Sequence, residues 1–164
     1  MGLGNFIPTV HQVNEADLKA RFKTQTLTPF DGEPTFPSMQ RVEQELASNA
    51  LTVKVSFGGG QKGTLGWFFS ATKYYAEAGV DWIVPVSAGA FPLFIAGMTD
   101  EQKKANISEY LVEEYDIKVV AAMEGILKNQ LLEAVTEDYI LELKQGLSEY
   151  NDVALLDILK HLCI

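Results

Sequence analysis

Between Thr99 and Gly125 the chain contains neither glycine nor proline, and the stretch opens with Thr99-Asp100-Glu101-Gln102. Thr at the N-cap and Gln three residues on form a capping box, in which each side chain satisfies the other's backbone N–H. Ala105, Leu111, Val119, Met123, Ile126, Leu127, Leu131 and Ala134 then supply an apolar side at helical spacing. The pattern predicts a long helix through this region, with a break expected near Asp116. A helix of that length organises whatever the remaining residues can build.

Helical signals recur on both sides of it. Thr35 precedes Phe36, Met39, Val42, Leu46 and Ala50, and Pro37 falls in the first turn, which predicts a helix over 36–50. Ser70 can cap a short helix ending at Ala78, with Gly79 as its terminator. Thr136 is expected to cap a helix over Glu137–Gln145 closed by Gly146. Asn151 or Asp152 is expected to cap a last helix carrying Val153, Leu156, Leu159 and Leu162. Residues 1–34 are broken by Pro8, Pro29 and Pro34 and read as an irregular N-terminal arm, with a short helix near Glu15–Phe22 opened by Asn14. The expectation is an all-α fold: one bundle of about five or six helices over 35–164, preceded by the arm.

Two segments resist this pattern. Gly58, Gly59, Gly60, Gly63 and Gly66 place five glycines in nine positions, where no regular element is expected and a shaped structural turn is. A Walker A loop would need Lys where Thr64 stands after Gly63, and no strand precedes the run as a dinucleotide fingerprint requires. A small phosphate- or nucleotide-binding module using turn 58–66 and Lys62 remains the alternative reading. The second segment, Trp82 to Met98, is seventeen residues without a charge. Pro85 and Pro92 disfavour a membrane-spanning helix there, so an irregular apolar segment, in the core or covered by a partner, is expected. Trp82, Phe91 and Phe94 are its candidate self-association residues, since aromatic side chains dominate protein interfaces.

Chemistry-bearing constellations are sparse. Only His11, His161 and Cys163 could join carboxylates as metal ligands, and no Gly-x-Ser-x-Gly elbow exists. The acidic runs at Glu113, Glu114 and Asp116, and at Glu133, Glu137 and Asp138, read as solvated helix faces. No catalytic residue, cofactor or metal is therefore assigned, and a non-enzymatic protein is expected. The formal charge is −9, of which residues 83–164 carry −8 with 6 basic against 14 acidic side chains. Such a surface repels phosphate backbones, which excludes autonomous DNA binding. The first 25 residues lack a basic n-region followed by an apolar run, Phe6 stands where myristoylation wants Ser or Thr, and Cys163 is misplaced for prenylation. A reducing, cytoplasmic setting is expected from this and from the single cysteine.

Several of these pieces stand in a familiar order. Glu45-Leu46-Ala47-Ser48-Asn49-Ala50 followed by Gly58-Gly59-Gly60-Gln61-Lys62-Gly63-Thr64-Leu65-Gly66 resembles the "hREL-NSNA … LGGG-HGHLGL" segment of Gag-like capsid proteins of Copia-type LTR retrotransposons. Tyr74-Tyr75, the proline-containing stretch 85–92, Glu113-Glu114-Tyr115, Lys128–Val135, Tyr139-Ile140 and Leu155–Leu162 resemble that family's later pieces in sequence order, from about residue 27 to the end. The resemblance implies an all-helical capsid-type domain, similar to a Gag N-terminal domain, that self-assembles into a virus-like shell and has no active site. It also implies a second capsid subdomain and a Cys-x2-Cys-x4-His-x4-Cys zinc knuckle, neither of which this sequence contains, so element RNA would be contacted only through regions absent here. Residues 82–98 are more apolar than the family's polar proline loop, which points to a specialised contact.

Overall fold

The computed structural model describes residues 11–54, 60–86 and 94–163, with the side chains of residues 60 and 61 left aside. Five α-helices and four 3₁₀ helices make up the regular structure of these residues: α1 (Glu15–Ala20), α2 (Phe36–Ala50), α3 (Ala71–Ala78), α4 (Asp100–Ala134) and α5 (Leu155–Leu162), with 3₁₀ turns between. No strand occurs among them; one isolated antiparallel bridge joins Gln145 and Glu149. The fold is all-α, as the sequence predicts.

α4 is the axis. Its 35 residues span about 52 Å at 1.5 Å per residue. The capping box forms, with Thr99 N–H donating to Gln102 Oε1 (2.9 Å) and Gln102 N–H to Thr99 Oγ1 (3.1 Å). No break occurs at Asp116. The apolar side, however, is shorter than expected: Ala105 is exposed and Leu111 half-buried, whereas Ile117, Val119, Val120, Met123, Ile126, Leu127, Leu131 and Ala134 are buried. Among the described residues the buried positions of α4 run from Glu114 onward; Glu114 itself is 6% exposed and Asp116 half-buried, so only Glu113 of the run expected as a solvated face is exposed.

α2 begins at Thr35, whose hydroxyl accepts from Ser38 N–H while Ser38 Oγ accepts from Thr35 N–H. Val42, Leu46 and Ala50 face the core and Met39 is half-buried, but Phe36 is 81% exposed because the first turn precedes the packed part of the stripe. Residues 11–34 follow an irregular path apart from α1, yet they are core structure rather than a loose arm. Leu18, Phe22, Leu27 and Phe30 are buried in the same cluster as α2, α4 and α5. Asn14 caps α1 through Asp17 N–H, Gln25 Nε2 donates to the carbonyls of Lys19 and Phe22, and Phe30 N–H donates to the Ala134 carbonyl at the end of α4.

An irregular segment in a core needs partners for its backbone. Asn49 of α2, 0% exposed, accepts from Thr24 N–H with Oδ1 (2.9 Å) and donates through Nδ2 to the Thr24 carbonyl (2.8 Å) and to Gln130 Oε1 (2.9 Å). Gln130 of α4, 3% exposed, donates in turn to the carbonyls of Thr24 and Gln25, both at 3.1 Å. Two side-chain amides thus knit three chain segments together.

Three local expectations fail for one reason. The described part of the glycine-rich run, expected as a shaped turn without a regular element, forms a 3₁₀ helix, Gly60–Trp67; Thr64 Oγ1 donates to the Ala50 carbonyl (3.0 Å), and Leu65 and Phe68, three residues apart on one side, are buried. The helix expected over 137–145 is instead the 3₁₀ turns Glu137–Tyr139, Leu141–Leu143 and Gly146–Ser148, and Thr136 makes no side-chain cap bond. Glu137 accepts from Lys144 Nζ and Tyr150 OH, which hold its carboxyl below the usual carboxylate range. Neither Asn151 nor Asp152 caps α5. Glu124 of α4 accepts from Leu155 N–H (3.1 Å), and buried Lys128, one turn on, donates to the carbonyls of Asn151 and Val153, both at 3.0 Å. In each place partners from distant sequence replace the local ones.

Replacing Asn49 by Leu, its near-isostere, strands Thr24 N–H and Gln130 Oε1 in the core. At about 1–3 kcal/mol per unsatisfied buried group, urea denaturation should register a loss of about 2–5 kcal/mol. Lys128→Met leaves two carbonyls and the Glu124 carboxylate without their cation. It should lower the melting temperature by about 5–10 °C, corresponding to roughly 2–3 kcal/mol for a chain of this size.

Candidate functional site

The described parts of the two segments that resist the helical pattern meet at Trp82 and Gly66. Ser70 caps α3 through Lys73 N–H, and Gly79 ends it in the left-handed conformation (φ 76°) that glycine adopts without a Cβ penalty. The chain then turns back over the 3₁₀ helix. Trp82 lies against Gly66, where a Cβ would overlap the indole, so the position is closed to any larger residue without displacing that ring. Its Nε1 donates to the Gly63 carbonyl (2.8 Å). Its ring meets Trp67 edge-on (centroids 4.9 Å apart, 72° between planes) and Tyr74 at 6.4 Å and 63°.

Trp67 extends the anchor inward by donating Nε1–H to the Val120 carbonyl of α4 (2.6 Å). Tyr74 is fully buried, and desolvation pushes its hydroxyl pKa up. An aromatic triad therefore ties the start of the uncharged segment to the centre of the fold. Beyond the anchor the segment emerges: Ile83 (59% exposed), Val84 and Val86 (69%) are open to solvent, as are Tyr75 of α3 and Val80 of the loop after it. Ile95, at the far end, is 74% exposed.

The sequence-derived candidates divide accordingly. Trp82 is half-buried and its polar atom is engaged within the chain. Phe94 is half-buried, with the Lys103 ammonium 5.5 Å from its ring centroid. Phe91 lies outside the described residues, as do Gly58 and Gly59. Gly60 opens the 3₁₀ helix, and Gly63 and Gly66 are buried in it, one receiving the Trp82 N–H and the other its ring face. Sequence reasoning missed Ile83, Val84, Val86 and Ile95, because an uncharged run alone does not tell which of its residues face inward. Lys62, the cation of the phosphate-binding alternative, donates to the Glu77 carbonyl at the end of α3 (2.6 Å), where the helix dipole favours a positive charge. Among the described residues no group of three His, Cys, Asp or Glu side chains is arranged to hold a metal ion, and no helix is long and apolar enough to cross a membrane.

No protein-family model matches the sequence, no curated protein matches it, and no solved structure matches the fold.

Two glycines give opposite expectations. Gly66→Ala must displace Trp82; its fluorescence should shift to the red, and stability should fall by about 2–3 kcal/mol through lost aromatic packing. Gly125, inside α4, has nothing within 4 Å of where its Cβ would stand. Gly125→Ala should stabilise the protein by about 0.5–1 kcal/mol, since alanine is the better helix former.

Proposed function

We propose that this chain is a structural protein of the Gag-like capsid kind, whose work is association with further copies of itself in the cytoplasm. The observation that carries the reading is the exposed apolar strip Ile83-Val84-Val86, which follows directly on the inward-packed Trp82. Adjacent exposed aliphatic side chains of this kind support a protein contact. The ordered series of family-like pieces supports the capsid assignment, and so does an all-α framework in which the strip follows a glycine-rich turn. A formal charge of −9 supports protein rather than nucleic acid as the partner. The free, exposed Cys163 suits a reducing compartment.

Sedimentation velocity over a range of concentrations tests the reading. Wild type should form oligomers, and Ile83→Ser with Val86→Ser should shift the distribution toward monomer while the helical circular dichroism and cooperative melt stay unchanged. Phe91→Ser with Phe94→Ser should act in the same direction. A wild-type protein that stays monomeric at every concentration and salt condition overturns the proposal.

A further inference from the structure

A subunit that joins more than one neighbour needs more than the single contact that closes a two-fold pair. Resting on the self-association reading above, we propose that a second contact exists, in which the groove between Glu33 and Glu142 receives the basic tract Lys19–Lys23 of another copy.

The groove, about 290 Å³, is built from three parts of the chain: Glu33 and Pro34 before α2, Tyr139 and Glu142 from the 3₁₀ turns, and His161 and Leu162 at the end of α5. Both carboxylates belong to exposed residues, and neither has an ion-pair partner among the described residues. With them the groove is lined by the Tyr139 ring, Pro34, the half-buried His161 and the buried Leu162. This combination suits a guanidinium on an aliphatic stem: the carboxylates can accept its N–H groups, while half-buried Tyr139 and Pro34 offer apolar surface to its stem.

The occupant follows from charge. Copies that each carry −9 repel one another wherever acid meets acid, so a contact through the acidic groove requires a basic counterpart. Lys19-Ala20-Arg21-Phe22-Lys23 is the one stretch of the sequence with three basic residues in five positions. Arg21 and Lys23 are exposed, and none of the three cations has an ion-pair partner among the described residues. Buried Phe22 and the Gln25 amide on the Lys19 and Phe22 carbonyls hold the tract in place, so little order has to be gained on binding. Tract and groove are also tied to the same end of α4. The tract leads into Thr24 and Gln25 on Gln130, and Phe30, three residues before Glu33, binds the Ala134 carbonyl.

Charge reversal in two complementary variants tests this contact. Variant one carries Arg21→Glu and Lys23→Glu; variant two carries Glu33→Lys and Glu142→Lys. Each alone should stop at smaller species than wild type in sedimentation velocity, with dissociation constants raised about tenfold or more by the apposed like charges. An equimolar mixture should recover wild-type sizes, because each variant's altered surface then meets its opposite, and raising salt from roughly 0.05 to 0.5 M should weaken wild type and mixture alike. Recovery on mixing also shows that both variants are folded. Should wild type assemble and either variant assemble equally well, or should both fail and the mixture stay small while each retains a cooperative melt, the groove contact is wrong and the apolar strip stands alone. A wild type that never associates overturns this inference together with the self-association reading.

Discussion

The packing of this chain depends on two buried amides. Asn49 and Gln130 present donors and acceptors to the backbone of Thr24 and Gln25 much as a neighbouring strand would, although the described residues contain no strand. Without them a segment with no ladder of its own could not enter the interior, since each buried amide or carbonyl left unpaired costs about 1–3 kcal/mol. With them, Leu18, Phe22, Leu27 and Phe30 become core residues and the chain before α2 closes the same cluster that α5 closes from the other end of the sequence. Specificity comes with it, because the amide geometry accepts one register of residues 24–25 against α2 and α4.

α4 supplies polar partners as well as apolar surface over its C-terminal half. Glu124 and Lys128 order the approach to α5, Gln130 holds residues 24–25, and the Ala134 carbonyl takes the N–H of Phe30. Each is a side chain or helix end used to satisfy a segment that cannot satisfy itself. The Glu124–Lys128 pair, 3.6 Å apart, illustrates the balance: a largely buried lysine is tolerated because two carbonyls and a carboxylate together replace its hydration.

The same division explains what could be read from the sequence. Helix starts and stops set by neighbours within four residues were legible, as at Thr35, Ser70, Gly79 and Thr99, because cap chemistry is local. The start of α5 was not, since its partner Glu124 lies 31 residues upstream and Asn151 and Asp152 offered plausible local substitutes. Thr136 misled for the same reason: Glu137 is drawn to Lys144 and Tyr150 rather than left to favour a helix N-terminus. At the candidate site the glycines were legible as a shaped turn, though not as the 3₁₀ helix that Gly60–Trp67 forms, and Trp82 was legible only as a candidate contact aromatic, whereas it packs within the chain. That Gly66 is the surface on which Trp82 lies was hidden, because nothing in either segment names the other. The outward-facing Ile83, Val84 and Val86 were hidden too, as exposure follows from the anchor's placement and not from composition.

That placement also bounds how strongly the strip can act. Burying a whole aliphatic side chain contributes about 1.5–3 kcal/mol, and these residues are already partly covered, so the strip offers roughly 3–5 kcal/mol in all. Association opposes this with about 4–15 kcal/mol of lost translational and rotational freedom, and a charge of −9 on each copy adds repulsion. A pair held by the strip alone is therefore weak and reversible. In an assembly of the proposed kind strength would have to come from number: once a copy is held at one surface, its next contact is nearly intramolecular, and many weak contacts make a stable assembly without any one of them being tight. Under the proposed self-association, the marginal strip and the high like charge would act together, keeping isolated copies apart at low concentration and making growth cooperative once several contacts can close at the same time.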